Sequence, residues 1–211
     1  MDLKLHGYWR STAAYRVRIA LALKGLEARP APIDLRKAEH GAPVFRAINP
    51  QGLVPALEVD GRVLTQSLPI IEWLEEAFPH PALLPLDPFG RAHVRAMAAI
   101  VASDIHPLNN LRVLKRLRED LQVAEPVVNA WIAEWVSRGF GALEGLLAER
   151  GWSFGDQPGL ADCCLIPQVY SAQRFAVDLS PFPRVMRIAA LAQAHPAFAA
   201  AHPDRQPDAD R

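Results

Sequence analysis

The chain has 211 residues, half of them hydrophobic, enough to fill one large core or two modest ones sharing a seam. Lys plus Arg and Asp plus Glu each number 23, so the formal charge is zero; this excludes general nucleic-acid binding, which needs a basic face to displace phosphate counterions. No stretch approaches the ~20 apolar residues that cross a bilayer, and the opening MDLKLHGYWR lacks the apolar run of a secretory signal, so no membrane association is expected.

Leu3 to Tyr8 reads as a short strand, broken by the polar Arg10–Ser11–Thr12. Ala13 to Lys24 is rich in helix formers, with Gly25 as C-cap, and Arg29–Leu35 predicts a second strand. Such a strand–helix–strand unit normally has parallel strands. Residues 43–48 predict a short helix ahead of the turn Asn49–Pro50–Gln51–Gly52. Pro55–Gln66 then predicts two strands joined at Asp60–Gly61, a tight hairpin dipeptide. Ser67 is expected to N-cap the next helix, whose apolar stripe is Ile70, Ile71, Leu74, Ala77 and Phe78. The order βαβ–ββα describes a thioredoxin-like domain over residues 1–80.

Residues 81–87 fall in a proline-rich stretch and form the expected linker, leaving 88–211 as an all-helical domain. Val94, Met97, Ala98, Val101, Ile105 and Leu108 recur at helical spacing, with Pro107 expected to kink that helix. Residues 127–150 and 160–175 give further long helical patterns, and 202–211 is expected to fray. Cys163 and Cys164 are helical neighbours pointing about 100° apart, so no disulfide joins them and a reduced, cytoplasmic setting is expected. The histidines show no metal-ligand spacing, and no metal is assigned. Trp131 and Trp135, four apart, read as core or interface, and Asp162 as a helix cap.

The segment between the first strand and first helix carries the chemistry. A helix N-terminus exposes unpaired N–H groups and about half a positive charge, which stabilise an anion. Ser11 and Thr12 stand there, flanked by Arg10 and Arg16. Together these groups could lower a thiol pKa from about 8.5 towards ~6.5, or ~2.7 kcal/mol. The protein supplies no cysteine at this point, which argues against dithiol redox chemistry; a ligand must bring the sulfur. Taken alone, Ser11 and Thr12 serve equally as helix caps, and Tyr8 as packing or as a further hydroxyl. Two further segments bear on the choice. Val54–Pro55 falls where a thioredoxin-like sheet carries a cis proline, offering the Val54 backbone to an extended peptide. Gln66–Ser67 opens a helix that can hold a free carboxylate. A thiolate site, a peptide-pairing edge and a carboxylate site together describe a glutathione pocket.

With these residues in view, the chain resembles the zeta-class glutathione transferases, which include the maleylacetoacetate and maleylpyruvate isomerases. The matching stretches are WRSTAAYRVRIALALKG, INPQGLVPALEVDG, TQSLPIIEWLEE, LLPLDP, DIHPLNNLRVL, FGD…LADCCLIPQVYSAQRFAVDLSPFP and HPDRQPD, spread over residues 9–208. The resemblance implies a glutathione transferase fold and a homodimer. It also implies that Ser11, Thr12, His40, Val54, Pro55, Gln66 and Ser67 bind glutathione, with Ser11 nearest the sulfur. His106 and Asn110, four apart on one expected helix face, and Arg112 would close the pocket. Two departures stand out. Many family members have Ser-Ser-Cys where this chain has Ser11–Thr12–Ala13, and Gly159 replaces the usual Ser or Thr ahead of Asp162.

For maleylacetoacetate the implied chemistry is reversible thiolate addition to the cis double bond, rotation, and expulsion to the trans isomer. Arg10, Ser11 and Thr12 are the expected catalytic groups. Arg10, Arg112 and Arg174 are the expected contacts to a small dicarboxylic acid, because a guanidinium donates two parallel hydrogen bonds to a carboxylate. Maleylpyruvate remains an alternative substrate. Rival readings are a transferase or dehalogenase of small α-halo acids, and a non-catalytic module of the same fold.

Overall fold

In the computed structural model, which describes residues 1–210, strands β1 (Leu3–Gly7), β2 (Arg29–Pro32), β3 (Ala56–Val59) and β4 (Arg62–Thr65) form one sheet in the order β2-β1-β3-β4. β1 and β2 are parallel, with Lys4 opposite Arg29, and are joined through helix α1 (Thr12–Leu23). β3 runs antiparallel to both β1 and β4, with Leu5 opposite Leu57 and Leu57 opposite Leu64. Asp60 and Gly61 both have positive φ, 46° and 82°. Two such residues make the tight turn whose twist matches the flanking strands.

Helix α2 (Pro43–Ile48) precedes the turn at Asn49–Gly52, and α3 (Ser67–Ala77) follows the hairpin. The apolar side chains of α1 and α3, two helices packed on one another, are buried: Val17, Ile19, Ala20, Ile70, Ile71 and Leu74 are all nearly inaccessible. Ala77 is exposed and Phe78 half-buried, so the core stripe of α3 ends a turn earlier than its spacing suggests. The second strand is also shorter than expected. It ends at Pro32, and Asp34 instead accepts the Arg36 N–H to start a 3₁₀ turn. Buried Lys24, the C-cap of α1, donates to Glu75 Oε2 at 2.8 Å and to the carbonyls of Phe78 and Pro81. Glu75 also accepts the Leu83 N–H, so one ion pair pins the end of α3 and the chain beyond it.

The chain divides into two compact units, Met1–Leu83 with Gln193 onward, and Leu84–Ala192. This departs from the sequence reading at the C-terminus, where residues 193–210 group with the strands. The reason is local: helix α9 (Pro196–Ala201) packs on α1, and Arg18 donates to the Ala201 carbonyl at 3.0 Å. Nor are residues 202–210 of the tail frayed, residue 211 lying outside the described residues. His202 caps a 3₁₀ turn over Pro203–Arg205, Asp208 accepts the Trp9 N–H, and Asp210 accepts from Arg36.

The second unit is helical. Helix α4 (Pro88–Ala99) runs into a π-helical segment, Ile100–Ile105, and then a 3₁₀ segment, His106–Asn109. Pro107 thus ends the helix through widened turns where a single kink was expected, because its ring displaces the carbonyl four residues earlier. Short α5 (Leu111–Lys115) leads to long α6 (Glu125–Leu146), then α7 (Leu160–Arg174) and α8 (Pro183–Ala194). Val94, Met97, Val101, Ile105, Ile132, Val136 and Phe140 fill this core, while Leu108 is only half-buried. Glu144 accepts the N–H groups of Arg184 and Val185, satisfying donors at the start of α8. Asp162, 1% exposed, accepts from Gly159 N–H and Ser153 N–H, as the capping pattern required. Burial pushes its carboxyl above the usual value, against those hydrogen bonds. No helix among the described residues is long and apolar enough to cross a membrane.

Candidate active site

In the first unit, β1 delivers the chain to a turn in which Ser11 N–H bonds to the Tyr8 carbonyl at 2.9 Å. Ser11 is the N-cap of α1, with extended backbone, and its Oγ accepts the Ala14 N–H at 3.2 Å. Capping and donation are therefore compatible. The cap uses a lone pair on Oγ and leaves the hydroxyl hydrogen to point at an anion. Thr12 is the first residue of α1 and half-buried, and no acidic side chain stands in that first turn to oppose an anion. The Arg10 guanidinium lies 5.2 Å from the Trp9 ring centre, held by a cation–π contact.

The peptide-pairing edge is also formed. Val54–Pro55 is cis, and Val54 stands just outside the ladder, whose pairs begin at Ala56. Buried Asn49 braces this loop, donating to Leu53 O at 2.7 Å and accepting from Gln51 N–H. Gly52 has φ of 65°, and a Cβ there would meet the His40 carbonyl oxygen at 3.0 Å. The loop thus needs glycine both for conformation and for space. His40 Nδ1 is buried and has no hydrogen-bond partner among the described residues, an orphaned polar atom beside that loop.

Ser67 is not the N-cap of α3. That position belongs to Gln66, whose φ of 69° is rare for a residue with a side chain. Ser67 is the first helical residue, and its buried Oγ accepts from Arg16 Nη1 at 3.2 Å. Gln66 Nε2 donates to Gln51 Oε1 at 2.6 Å. Arg16, read from sequence only as nearby positive charge, is 3% exposed and joins the second turn of α1 to the start of α3 through its side chain. Gln51 was legible only as part of a turn. Its pairing with Gln66 spans 15 residues, and no local pattern signals it.

In the second unit, His106 and Asn110 meet, with Asn110 Nδ2 3.4 Å from His106 Nε2. They do not share a helix face as expected. His106 opens the 3₁₀ segment, and Asn110 is the N-cap of α5, its Oδ1 accepting the Arg112 N–H at 3.2 Å. Arg112 is exposed in the first turn of α5. Arg174 closes α7, exposed, its guanidinium 5.8 and 5.5 Å from the Tyr170 and Phe175 ring centres. Trp131 and Trp135 pack edge-to-face, and Trp131 Nε1 donates to the Leu108 carbonyl, which ties the middle of the 106–110 segment to α6. A cavity of about 190 Å³ in the first unit, lined by Leu5, Arg18, Leu21, Pro30, Ala201 and Asp208, touches none of the candidate residues.

The chain's own groups fit a tripeptide thiol. A hydroxyl-capped helix start suits the thiolate, an unpaired strand end suits the peptide, and a second helix start with a buried arginine suits a carboxylate. Residues 5–82 match the family model for the glutathione S-transferase N-terminal domain, and 125–201 match that for the C-terminal domain. A maleylacetoacetate isomerase of Pseudomonas aeruginosa is 54% identical over 209 residues, covering 98% of each chain. The holo structure of a maleyl pyruvate isomerase, a bacterial zeta-class glutathione S-transferase, superposes with a TM-score of 0.96 at 52% identity, covering 98% of this chain and 100% of that one. A maleylacetoacetate isomerase from Anaeromyxobacter dehalogenans, with dicarboxyethyl glutathione and citrate bound in its active site, superposes with a TM-score of 0.87 at 46% identity over 100% of this chain and 98% of that one. By these matches and by its own helix-start geometry, the chain belongs to the glutathione S-transferase family, in the zeta class.

Proposed function

We propose that this protein is a glutathione-dependent isomerase that converts maleylacetoacetate to its trans isomer, with maleylpyruvate as the alternative substrate. The observation that carries the reading is the Ser11 cap on α1, a hydroxyl donor on a helix start that has no acidic neighbour in its first turn. When bound, glutathione supplies the thiolate whose reversible addition turns the substrate's double bond into a rotatable single bond. The Anaeromyxobacter relative carries, by its chemical name, a glutathione joined to a four-carbon diacid. Thiolate addition to maleate or fumarate gives that adduct; addition to the maleyl double bond of the proposed substrate gives its counterpart with an acyl group in place of one carboxylate.

The chain's residues divide the remaining work. Ser11 and Thr12 hold the thiol in its ionised form, with Arg10 adding positive charge. Ser67, backed by Arg16, holds a ligand carboxylate, and Gln66 and the Val54 backbone hold the peptide. His40 Nδ1 gains a partner there. His106 and Asn110 close over the ligand, and Arg10, Arg112 and Arg174 take the substrate's carboxylates. Cys163 and Cys164 are buried and not joined in a disulfide, which supports a reducing, cytoplasmic setting. Leu86 and Phe89, 96% and 91% exposed, are large apolar side chains that a second copy would cover, and they support a homodimer.

The maleylpyruvate alternative is favoured by the 52% identical maleyl pyruvate isomerase, nearly as similar as the Pseudomonas enzyme. Side-by-side rates on the two substrates, with and without glutathione, test the reading. Turnover of either that needs glutathione is expected; undiminished turnover without it contradicts the proposal.

A further inference from the structure

The two peptide units on either side of Trp9, which lead into the thiol-site turn, are each held by a side chain from elsewhere in the fold. Trp9 N–H donates to Asp208 Oδ2 at 2.9 Å across 199 residues, and the Trp9 carbonyl accepts from Arg18 Nη2 at 2.8 Å. Arg18 Nε donates in turn to the Ala201 carbonyl at 3.0 Å, tying α1 to the end of α9. Gln206 donates to the carbonyls of Ala200 and His202, which folds the tail back on the end of α9, and Asp208 reaches Trp9 just beyond β1. Asp210 takes a second grip through Arg36, whose guanidinium also lies 5.7 Å from the Tyr8 ring centre. The residues that follow Trp9 are Arg10 and Ser11, and Ser11 N–H bonds back to Tyr8.

We propose that Asp208 is a positioning residue for catalysis, with the C-terminal tail acting as a clasp that, together with Arg18, fixes the backbone on both sides of Trp9 and, through it, the direction of the Ser11 hydroxyl. The inference rests on the glutathione reading of Ser11. Fixing both the N–H and the C=O of one residue leaves its two neighbours little rotational freedom, and the hydroxyl of a cap must be aimed within a narrow cone to stabilise a thiolate. The acceptor oxygen does this work. A second carboxylate function, through charge, would act the other way, because a negative group near a thiolate raises its pKa. The tail lies beyond residue 201, outside both matched domain models.

The two roles separate experimentally in the full-length protein. Asp208→Ala removes the acceptor, whereas Asp208→Asn keeps an acceptor oxygen and removes the charge. The readouts are amide exchange at residues 9–11, the pH titration of bound glutathione thiolate by ultraviolet absorbance, and kcat against KM. Asp208→Ala is expected to speed exchange at Trp9, shift the thiolate titration to higher pH and lower kcat about tenfold, by analogy with the cost of a small misplacement. Asp208→Asn is expected to restore all three. Wild-type exchange and titration in the alanine variant would overturn the proposal, as would an asparagine variant as impaired as alanine. Should the alanine variant fail to fold, Asp208→Glu, which moves the carboxylate by one methylene, is expected to show the same three shifts in weaker form, and wild-type values there overturn the proposal. Absence of glutathione binding by the wild type would instead defeat the isomerase reading, while amide exchange at Trp9 would still decide whether the clasp holds.

Discussion

Arg16 Nη1 and Ser67 Oγ lie 3.2 Å apart, both residues buried, and this one contact couples the second turn of α1 to the start of α3. A buried guanidinium donating to a hydroxyl leaves positive charge directed at whatever anion that hydroxyl meets. Ser67→Ala should therefore weaken glutathione binding by about tenfold to hundredfold, the ~1.5–3 kcal/mol of a hydrogen bond to a charged group. Calorimetric titration checks this. An unchanged affinity would remove Ser67 from the carboxylate site.

The arginines proposed to hold substrate should separate from the groups proposed to hold glutathione by their effect. Arg174→Ala should lower turnover of the dicarboxylate by about tenfold or more, since loss of a charge-assisted hydrogen bond costs ~1.5–3 kcal/mol. Glutathione affinity should stay near the wild-type value. Steady-state kinetics beside equilibrium binding distinguish the two, and an equal loss in both would count against a substrate role.

Lys24 and Glu75 form a buried ion pair whose Nζ also feeds two carbonyls. Removing one partner strands the other charge in the core. Lys24→Met should destabilise the protein by ~3–5 kcal/mol, whereas the double replacement Lys24→Met with Glu75→Leu should recover part of that loss. Urea unfolding of the single and double variants measures the coupling.

A side chain at Gly139 would overlap the Ile105 side chain in the π-helical segment. Gly139→Ala must push Ile105 and the adjoining His106 outward, since a packed core does not compress. The expected cost is ~1–3 kcal/mol of stability, with a rise in KM from the displaced His106–Asn110 pair. Thermal unfolding and initial rates test both, and a variant changed in neither would show that α6 moves instead.

Asp162 gives a pH signature opposite to that of a salt-bridged carboxylate. Its folded pKa is raised above the ordinary 3.8 by burial, so the folded state binds the proton more readily than the unfolded one. Its contribution to stability therefore grows as pH falls through the window between the raised value and 3.8, and is smallest at neutral pH. Compared with Asp162→Asn, the wild type should gain relative stability on acidification through that window. A difference in unfolding free energy that moves the other way would show that the two N–H bonds outweigh burial.

Much of the first unit was written in local pattern. The βαβ–ββα order, the Asp60–Gly61 turn and the Val54–Pro55 position follow from short-range sterics, because glycine, proline and alternation act within a few residues. The same holds for Ser11 at the start of α1 and Asp162 at the start of α7, since a cap reaches only two or three residues. Local reading failed where the deciding partner was distant or the backbone unusual. Ser67 resembled an N-cap by type, yet Gln66 took that place with a left-handed backbone and a bond to Gln51. His106 and Asn110 met as expected, but the approach to Pro107 widened into π and 3₁₀ turns and broke the shared helix face.

The sequence by itself determined the local features proposed for the site: hydroxyls at two helix starts, a cis proline, and arginines with no cysteine at the first helix start. Residue type and short-range geometry decide those features. The tertiary structure decided what holds them in place. The Arg16–Ser67 contact spans 51 residues and the Asp208–Trp9 bond spans 199, and only the folded chain brings such partners within hydrogen-bonding distance.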